Sequence, residues 1–263
     1  TVTVDGEYMI AAGHKIKVTA IKDPSTLPWK DLGVDIALEC TGLFTDREKA
    51  QLHLAAGAKR VLISAPGKNV DLTVVFGVNE GDYDPAQHNI ISNASCTTNC
   101  LAPVAYVLDK AIGIEKGFMT TIHSYTGDQP TLDTLHKDLY RARAAALSMI
   151  PTSTGAANAI GRVLPELKGK LHGSSIRVPT PNVSVIDLAV STSREVSINE
   201  VNDAIRQTAA GAMSGVLAFT TEPLVSVDLN HRTESSIVAL PQTDVVDGRM
   251  VRVLAWYDNE WSF

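Results

Sequence analysis

Residues 34–65 read VDIALECTGLFTDREKAQLHLAAGAKRVLISA, and this stretch decides the fold. Residues 34–40 form a nearly continuous apolar run that ends in Thr41-Gly42. Such runs suit strands of a parallel sheet covered on both faces. Thr45 stands where a helix N-cap would, Asp46-Arg47-Glu48-Lys49 follow, and Leu52, Leu54 and Ala55 lie behind them. Residues 45–56 therefore read as a helix that Gly57 ends. Residues 59–65 make the next strand, Pro66-Gly67 turns the chain, and residues 72–78 and 89–92 complete the run. Strand, helix, strand in this rhythm means βαβ units and an α/β, partial Rossmann-like doubly wound sheet. Ligands of such sheets lie at the carboxyl ends of the strands, which puts Thr41, Gly42 and Ser64 at a ligand edge, or else makes them ordinary turn residues.

Upstream, residues 1–23 alternate apolar and polar with turns at Asp5-Gly6 and Gly13-His14, so paired strands are expected. Downstream, NASCTTNC at residues 93–100 sits between an apolar run and a helix-like run, residues 101–108. Cys96 thus falls at a strand-to-helix junction. Free N–H groups and the helix dipole there lower a thiol pKa from about 8.5. Ser95, Thr97 and Thr98 add hydroxyls at the same point. Residues 118–124, FMTTIHS, read as a strand that delivers His123 to a polar loop. A Cys and a His at element ends form a nucleophile and base pair. The bland readings are a small buried thiol and a packed His. Cys96 and Cys100 lack a second Cys pair or a suitably spaced His, which argues against a structural metal.

The chain has 263 residues, 44% hydrophobic and 20% charged, enough for two modest domains. No apolar stretch reaches the roughly 18 residues of a membrane span, and no signal peptide is visible. Three Cys argue for a reducing compartment, hence a cytoplasmic protein. The net charge of −6 with interspersed signs gives no footprint for nucleic acid.

Residues 125–153 form a long polar loop carrying Lys137, Arg141 and Arg143 among Asp128, Asp133 and Asp138. Loops of this length are usually functional or disordered. Thr152-Ser153-Thr154-Gly155 precedes a helix-like run, residues 156–164, whose start offers an anion site or merely a cap. Arg177 stands between Ile176 and Val178, an unusual setting for a cation, and with the preceding segment points to a phosphate pocket. Strands at 182–190, 224–228, 236–238 and 249–256 around a helix at 198–213 describe a strand-rich α+β domain.

Taken in order, NASCTTNC, TTIHS, PTSTGAA, RVPTPNVSVID and WYDNEW resemble the phosphorylating glyceraldehyde-3-phosphate dehydrogenases of bacterial type. The resemblance implies residues 1–95 as the remainder of an NAD-binding domain and 96–263 as a catalytic domain with a mostly antiparallel sheet. It implies Cys96 as nucleophile and His123 as base. Thr126, Arg141 and Arg177 match substrate-phosphate ligands, while Ser95, Thr97, Thr154 and Gly155 match the site of the attacking phosphate. Thr41, Gly42, Phe44, Ser64 and Asn259 match cofactor contacts. The implied cofactor is NAD, with NADP open because Thr134-Leu135 departs from the usual Leu-Pro. Phe263 stands where the family has Tyr beside the nicotinamide. The implied assembly is a homotetramer. Erythrose-4-phosphate dehydrogenase shares several of these motifs, but PTSTGAA fits the glyceraldehyde enzyme better. A Cys/His hydrolase would leave the phosphate pocket unused. No two Gly stand two apart, so GxGxxG is absent. A fragment lacking that fingerprint and the family's closing helix is the expectation, and with it an inactive chain.

Overall fold

The computed structural model describes residues 1–263. Its parallel sheet is built from β4 (Ile36–Glu39), β5 (Arg60–Ile63), β6 (Leu72–Thr73) and β7 (Ile90–Ser92), in the order β4-β5-β7-β6. Before it, β1 (Val2–Asp5), β2 (Tyr8–Ala11) and β3 (His14–Lys17) form the expected antiparallel meander. The helix between β4 and β5, α1 (Arg47–Ala55), starts one residue later than its sequence implies. Asp46, not Thr45, is the N-cap, its carboxylate accepting the Lys49 N–H at 3.0 Å. Gly57 ends the helix at φ +111°, and a Cβ there would meet the Lys30 backbone at 2.7 Å. Only glycine fits.

The expectation of a sheet covered on both faces is corrected here. Ala50 of α1 packs on Val61, Ile63 and Ile90, whereas Ile36 and Leu38 on the opposite face are 57% and 64% exposed. β4 therefore alternates, with Ala37 and Glu39 turned inward. The strand foreseen at 72–78 pairs over two residues only.

The second sheet is larger. It comprises β8 (Ile114–Ser124), β9 (Ile150–Thr152), β10 (Leu171–Val178), β11 (Ser184–Thr192), β12 (Leu217–Thr220), β13 (Ser236–Ala239), β14 (Asp244–Val246) and β15 (Met250–Tyr257). The order is β12-β13-β15-β11-β8-β10-β9, with β14 on β15, and only the β8–β10 and β12–β13 pairs are parallel. Three helices, α2 (Cys96–Ile112), α3 (Ala156–Val163) and α4 (Ile198–Ala210), supply the residues that pack against it. Leu101, Val104 and Leu108 of α2 join Met119, Ile186, Leu188 and Val253 in one core. Each such leucine contributes about 1.5–3 kcal/mol by leaving water. Residues 224–228 are not a strand: Asp228 accepts the Val225 N–H at 2.9 Å and closes a 3-10 turn, Ser226–Leu229. β9, β12 and β14, which are short, and β10, which carries Arg177, are not among the strands read from the sequence.

The long loop has no regular element before β9, yet it is internally bonded. Asp133 accepts from Ala144 N–H at 2.8 Å and from Arg143 at 2.9 Å, and Thr134 N–H reaches Ala142 O at 2.9 Å. It leaves Leu132, Leu135 and Leu139 exposed.

Candidate active site

Strand parity assembles the site. On β8 the buried residues Met119, Thr121 and His123 share one face, the face toward α2. β10 runs parallel beside it, with Ser175 in register with Thr121 and Arg177 with His123. Alternation along β15 brings Tyr257 to the same face, where its hydroxyl meets Thr97 Oγ1 at 2.9 Å and Thr121 Oγ1 at 2.8 Å. Above them α2 begins. Ser95 caps it by accepting the Thr98 N–H at 3.1 Å, and Cys96 is the first helical residue.

Cys96 Sγ lies 3.4 Å from His123 Nε2. His123 Nδ1 lies 2.7 Å from the Ser124 carbonyl, which only accepts, so the ring proton sits on Nδ1 and Nε2 presents its lone pair to sulfur. The Tyr257 ring stands edge-on to the imidazole at 5.9 Å. Burial, aided by the Arg177 guanidinium, pushes His123 down to about 4. Burial also pushes the Cys96 thiol up, against the opposing pull of Thr97 and Arg177. The lowered thiol pKa expected from the helix start is thereby corrected. Desolvation outweighs the helix N-terminus here.

A cavity of about 540 Å³ opens over the sulfur. It gathers Ser95, Cys96, Thr97, His123, Arg141, Thr154, Gly155 and Arg177, eight of the residues singled out in the sequence. Thr126 lies behind it, its hydroxyl accepting from Arg177 Nη1 at 2.7 Å. Asp128 pairs with two of the cavity's cations: Arg141 Nη1 at 2.6 Å and Arg177 Nη1 at 3.5 Å. Burial works to raise the Asp128 carboxyl, but the Thr126 hydroxyl and the two guanidiniums hold it below the usual carboxylate range. Arg177 Nε is buried without a partner. Gly155 is the N-cap of α3 and gives no side-chain cap; Thr154 Oγ1 accepts the Ala156 N–H at 3.2 Å. The only sequence signal for Asp128 was its place among basic residues. Tyr257 gave none.

Thr41, Gly42, Phe44, Ser64 and Asn259 do not line this cavity. The first four follow β4 and β5 at their carboxyl ends, as foreseen. Asn259 connects to the catalytic strand through hydroxyls: Ser184 Oγ donates to Asn259 Oδ1 at 2.8 Å and accepts the Ser124 N–H at 3.0 Å. Its Nδ2 is buried with no partner. A buried amide N–H₂ left open beside the catalytic strand fits a ligand carbonyl, such as the carboxamide of NAD. Together with the turn at the strand ends, the residues present fit that cofactor.

Comparison with known proteins agrees with this geometry. Residues 95–259 match the family model described as glyceraldehyde 3-phosphate dehydrogenase, C-terminal domain, and residues 1–47 match the NAD binding domain of the same enzyme. A glyceraldehyde-3-phosphate dehydrogenase of Xanthobacter flavus is 64% identical over 262 residues, covering 100% of this chain and 78% of that protein. Those of Cereibacter sphaeroides and Geobacillus stearothermophilus are 63% and 57% identical, with the same coverage of 100% and 78%. On the matched domains and on relatives this similar along its whole length, the chain belongs to the glyceraldehyde-3-phosphate dehydrogenase family.

Proposed function

We propose that the chain carries the machinery that oxidises glyceraldehyde 3-phosphate with NAD and inorganic phosphate, through a thioester on Cys96, to 1,3-bisphosphoglycerate. The observation that carries this reading is the 3.4 Å contact of Cys96 Sγ with an unprotonated His123 Nε2 beneath a cavity lined by Arg141, Arg162 and Arg177. Residues 1–95 serve the cofactor and residues 96–263 the chemistry.

Cys96 sulfur attacks the aldehyde carbon while its proton passes to His123 Nε2. N–H groups of the first turn of α2 stand near the developing oxyanion and stabilise it. His123 gives that proton to the oxyanion, making the thiohemiacetal hydroxyl, and takes it back at Nε2 as the carbon is oxidised. NAD, held by Thr41, Gly42, Phe44, Ser64 and Asn259, supplies the hydride acceptor when bound. A phosphate oxygen next attacks the thioester carbon, and Cys96 leaves as thiolate. Arg141 and Arg177 hold the substrate phosphate, and Thr126 supports Arg177 from behind. Arg177 spends Nη1 on Thr126 and Asp128, which leaves Nη2 for an anion in the cavity. Ser95, Thr97, Thr154 and Gly155 hold the attacking phosphate.

A homotetramer agrees with Phe118 and Met250, which are 48% and 53% exposed on the second sheet. No helix is long and apolar enough to cross a membrane. Cytoplasmic placement rests on three free thiols. The test is protection of Cys96 from alkylation, read by mass spectrometry with Cys40 and Cys100 as references. Glyceraldehyde 3-phosphate should slow the labelling of Cys96 alone, more than erythrose 4-phosphate does, and Arg177→Ala should remove the effect. Equal labelling with and without the aldehyde would sink the reading.

A further inference from the structure

Glu39 is an acid where the fold asks for an apolar residue. It is the last residue of β4, turned inward like Ala37, and only 2% exposed. No Lys or Arg lies within salt-bridge distance of it; its one charge-type neighbour is His53 of α1, 6% exposed. A carboxylate at that depth is expensive unless it is fully hydrogen-bonded. Glu39 is. Oε1 accepts the Thr41 N–H at 2.7 Å and also the Thr41 hydroxyl, and Oε2 lies 3.1 Å from His53 Nε2.

The direction of every link is fixed by one end. An indole N–H can only donate. Trp29 Nε1 lies 3.1 Å from His53 Nδ1, so Nδ1 must accept and the ring proton must sit on Nε2, facing Glu39. Thr41, having given its hydroxyl proton to Glu39, accepts the Leu43 N–H on Oγ1 at 3.1 Å. Phe44 then sets its ring edge-on to His53 at 6.3 Å. Trp29, His53, Glu39, Thr41 and Leu43 form one chain, and it ends in the turn after β4. Gly42 in that turn sits at φ +73° with nothing within 4 Å of the place a Cβ would occupy. The turn is held from inside and open outside.

We propose that Glu39 is a positioning residue for the cofactor edge, which locks the 41–44 turn through a hydrogen-bond chain whose polarity Trp29 sets. The lock concerns this chain alone; its service to NAD rests on the functional reading above.

Glu39→Gln tests it, because the swap keeps the shape and breaks the polarity. If the amide oxygen goes on serving Thr41, its N–H₂ meets the His53 Nε2–H, donor against donor. The other tautomer of His53 sets Nδ1–H against Trp29. In the wild type, nitrogen shifts should show the Nε2–H tautomer of His53. In Glu39→Gln that signature should be lost, and the Thr41 and Leu43 amides should exchange at least tenfold faster while Val61 and Ile63 keep their protection. NAD affinity should fall about tenfold, with Cys96 alkylation in the absence of NAD unchanged within twofold. Thr41→Val, on the exposed turn, should speed only the Leu43 amide, and Thr41→Ser should restore it. Unchanged Thr41 and Leu43 exchange in Glu39→Gln, or an Nδ1–H tautomer in the wild type, would overturn the lock. Equal NAD affinity in wild type and variant would overturn its service to the cofactor. A wild-type chain with the expected tautomer and exchange that binds no NAD would overturn the functional reading and the cofactor half with it, leaving the lock in place.

Discussion

Two buried polar networks face each other in function and differ in how completely they are satisfied. Around Glu39 every link has a partner: Trp29 to His53, His53 to Glu39, Glu39 to Thr41. By contrast, on the side of the second sheet Arg177 Nε, Gln129 Nε2, Asn182 Oδ1 and Asn259 Nδ2 are buried with none. Buried polar atoms are rarely left unpaired in native structures, so the unpaired ones mark a network that a ligand or ordered water completes, and the closed network marks scaffold. The contrast extends to charge. His123 works beside two guanidiniums and a thiol, while His53 has only an indole, a carboxylate and a Phe edge around it.

The largest effect should fall on the open network. His123→Asn removes the base 3.4 Å from sulfur, and positioned bases contribute on the order of a hundredfold or more. Alkylation of Cys96 at neutral pH should slow accordingly, with Cys100 unaffected because burial pushes that thiol above the range in which it reacts. Rates that match in wild type and variant would mean that the two side chains do not share a proton.

Next comes stability against pH. His123 takes its proton near 4 when folded and near its ordinary 6.5 when unfolded. Between these values the unfolded chain binds more protons, so stability rises with pH across this window and is complete above it. The contribution is on the order of 3 kcal/mol, lost as pH falls from 6.5 toward 4. Urea melts at a series of pH values should show it, and His123→Asn should flatten the curve. A wild-type curve as flat as the variant's would erase the electrostatic difference between the two networks.

Tyr257→Phe should cost about 1–3 kcal/mol, since Thr97 loses its hydroxyl partner and Thr121 keeps only the Val185 carbonyl at 3.2 Å. Chemical denaturation reads it directly. A cost near zero would place water, not the phenol, in that role.

The open site was legible because its chemistry sits at element boundaries. Cys96 at a helix start, His123 at a strand end and Thr154-Gly155 before a helix carry local signals, and the strand register then brings them to one cavity. The roles of individual residues came from motif resemblance. The closed network was illegible for a plain reason. Glu39 hides in an apolar run, His53 lies mid-helix, and Trp29 is 24 residues from its partner, so nothing local connects them. Burial told the same story: an apolar run implied two covered faces, but alternation along β4 leaves Ile36 and Leu38 exposed. The sulfur's pKa failed differently, because the helix start is local while the desolvation that wins is tertiary.

The smallest expected effect sharpens the comparison at its scaffold end. Asp46 caps α1, the helix that carries His53, and its carboxylate satisfies the Lys49 N–H at 3.0 Å. Asp46→Ala should cost about 1 kcal/mol of stability, the ordinary value of a lost N-cap, whereas Thr45→Ala should cost almost nothing. If the closed network is cooperative with the helix beneath it, uncapping α1 should also speed exchange of the Thr41 amide, two links away from His53. Thr41 exchange that stays fixed while the helix frays would show that Glu39 holds the turn without help from α1, and that the chain begins at the carboxylate.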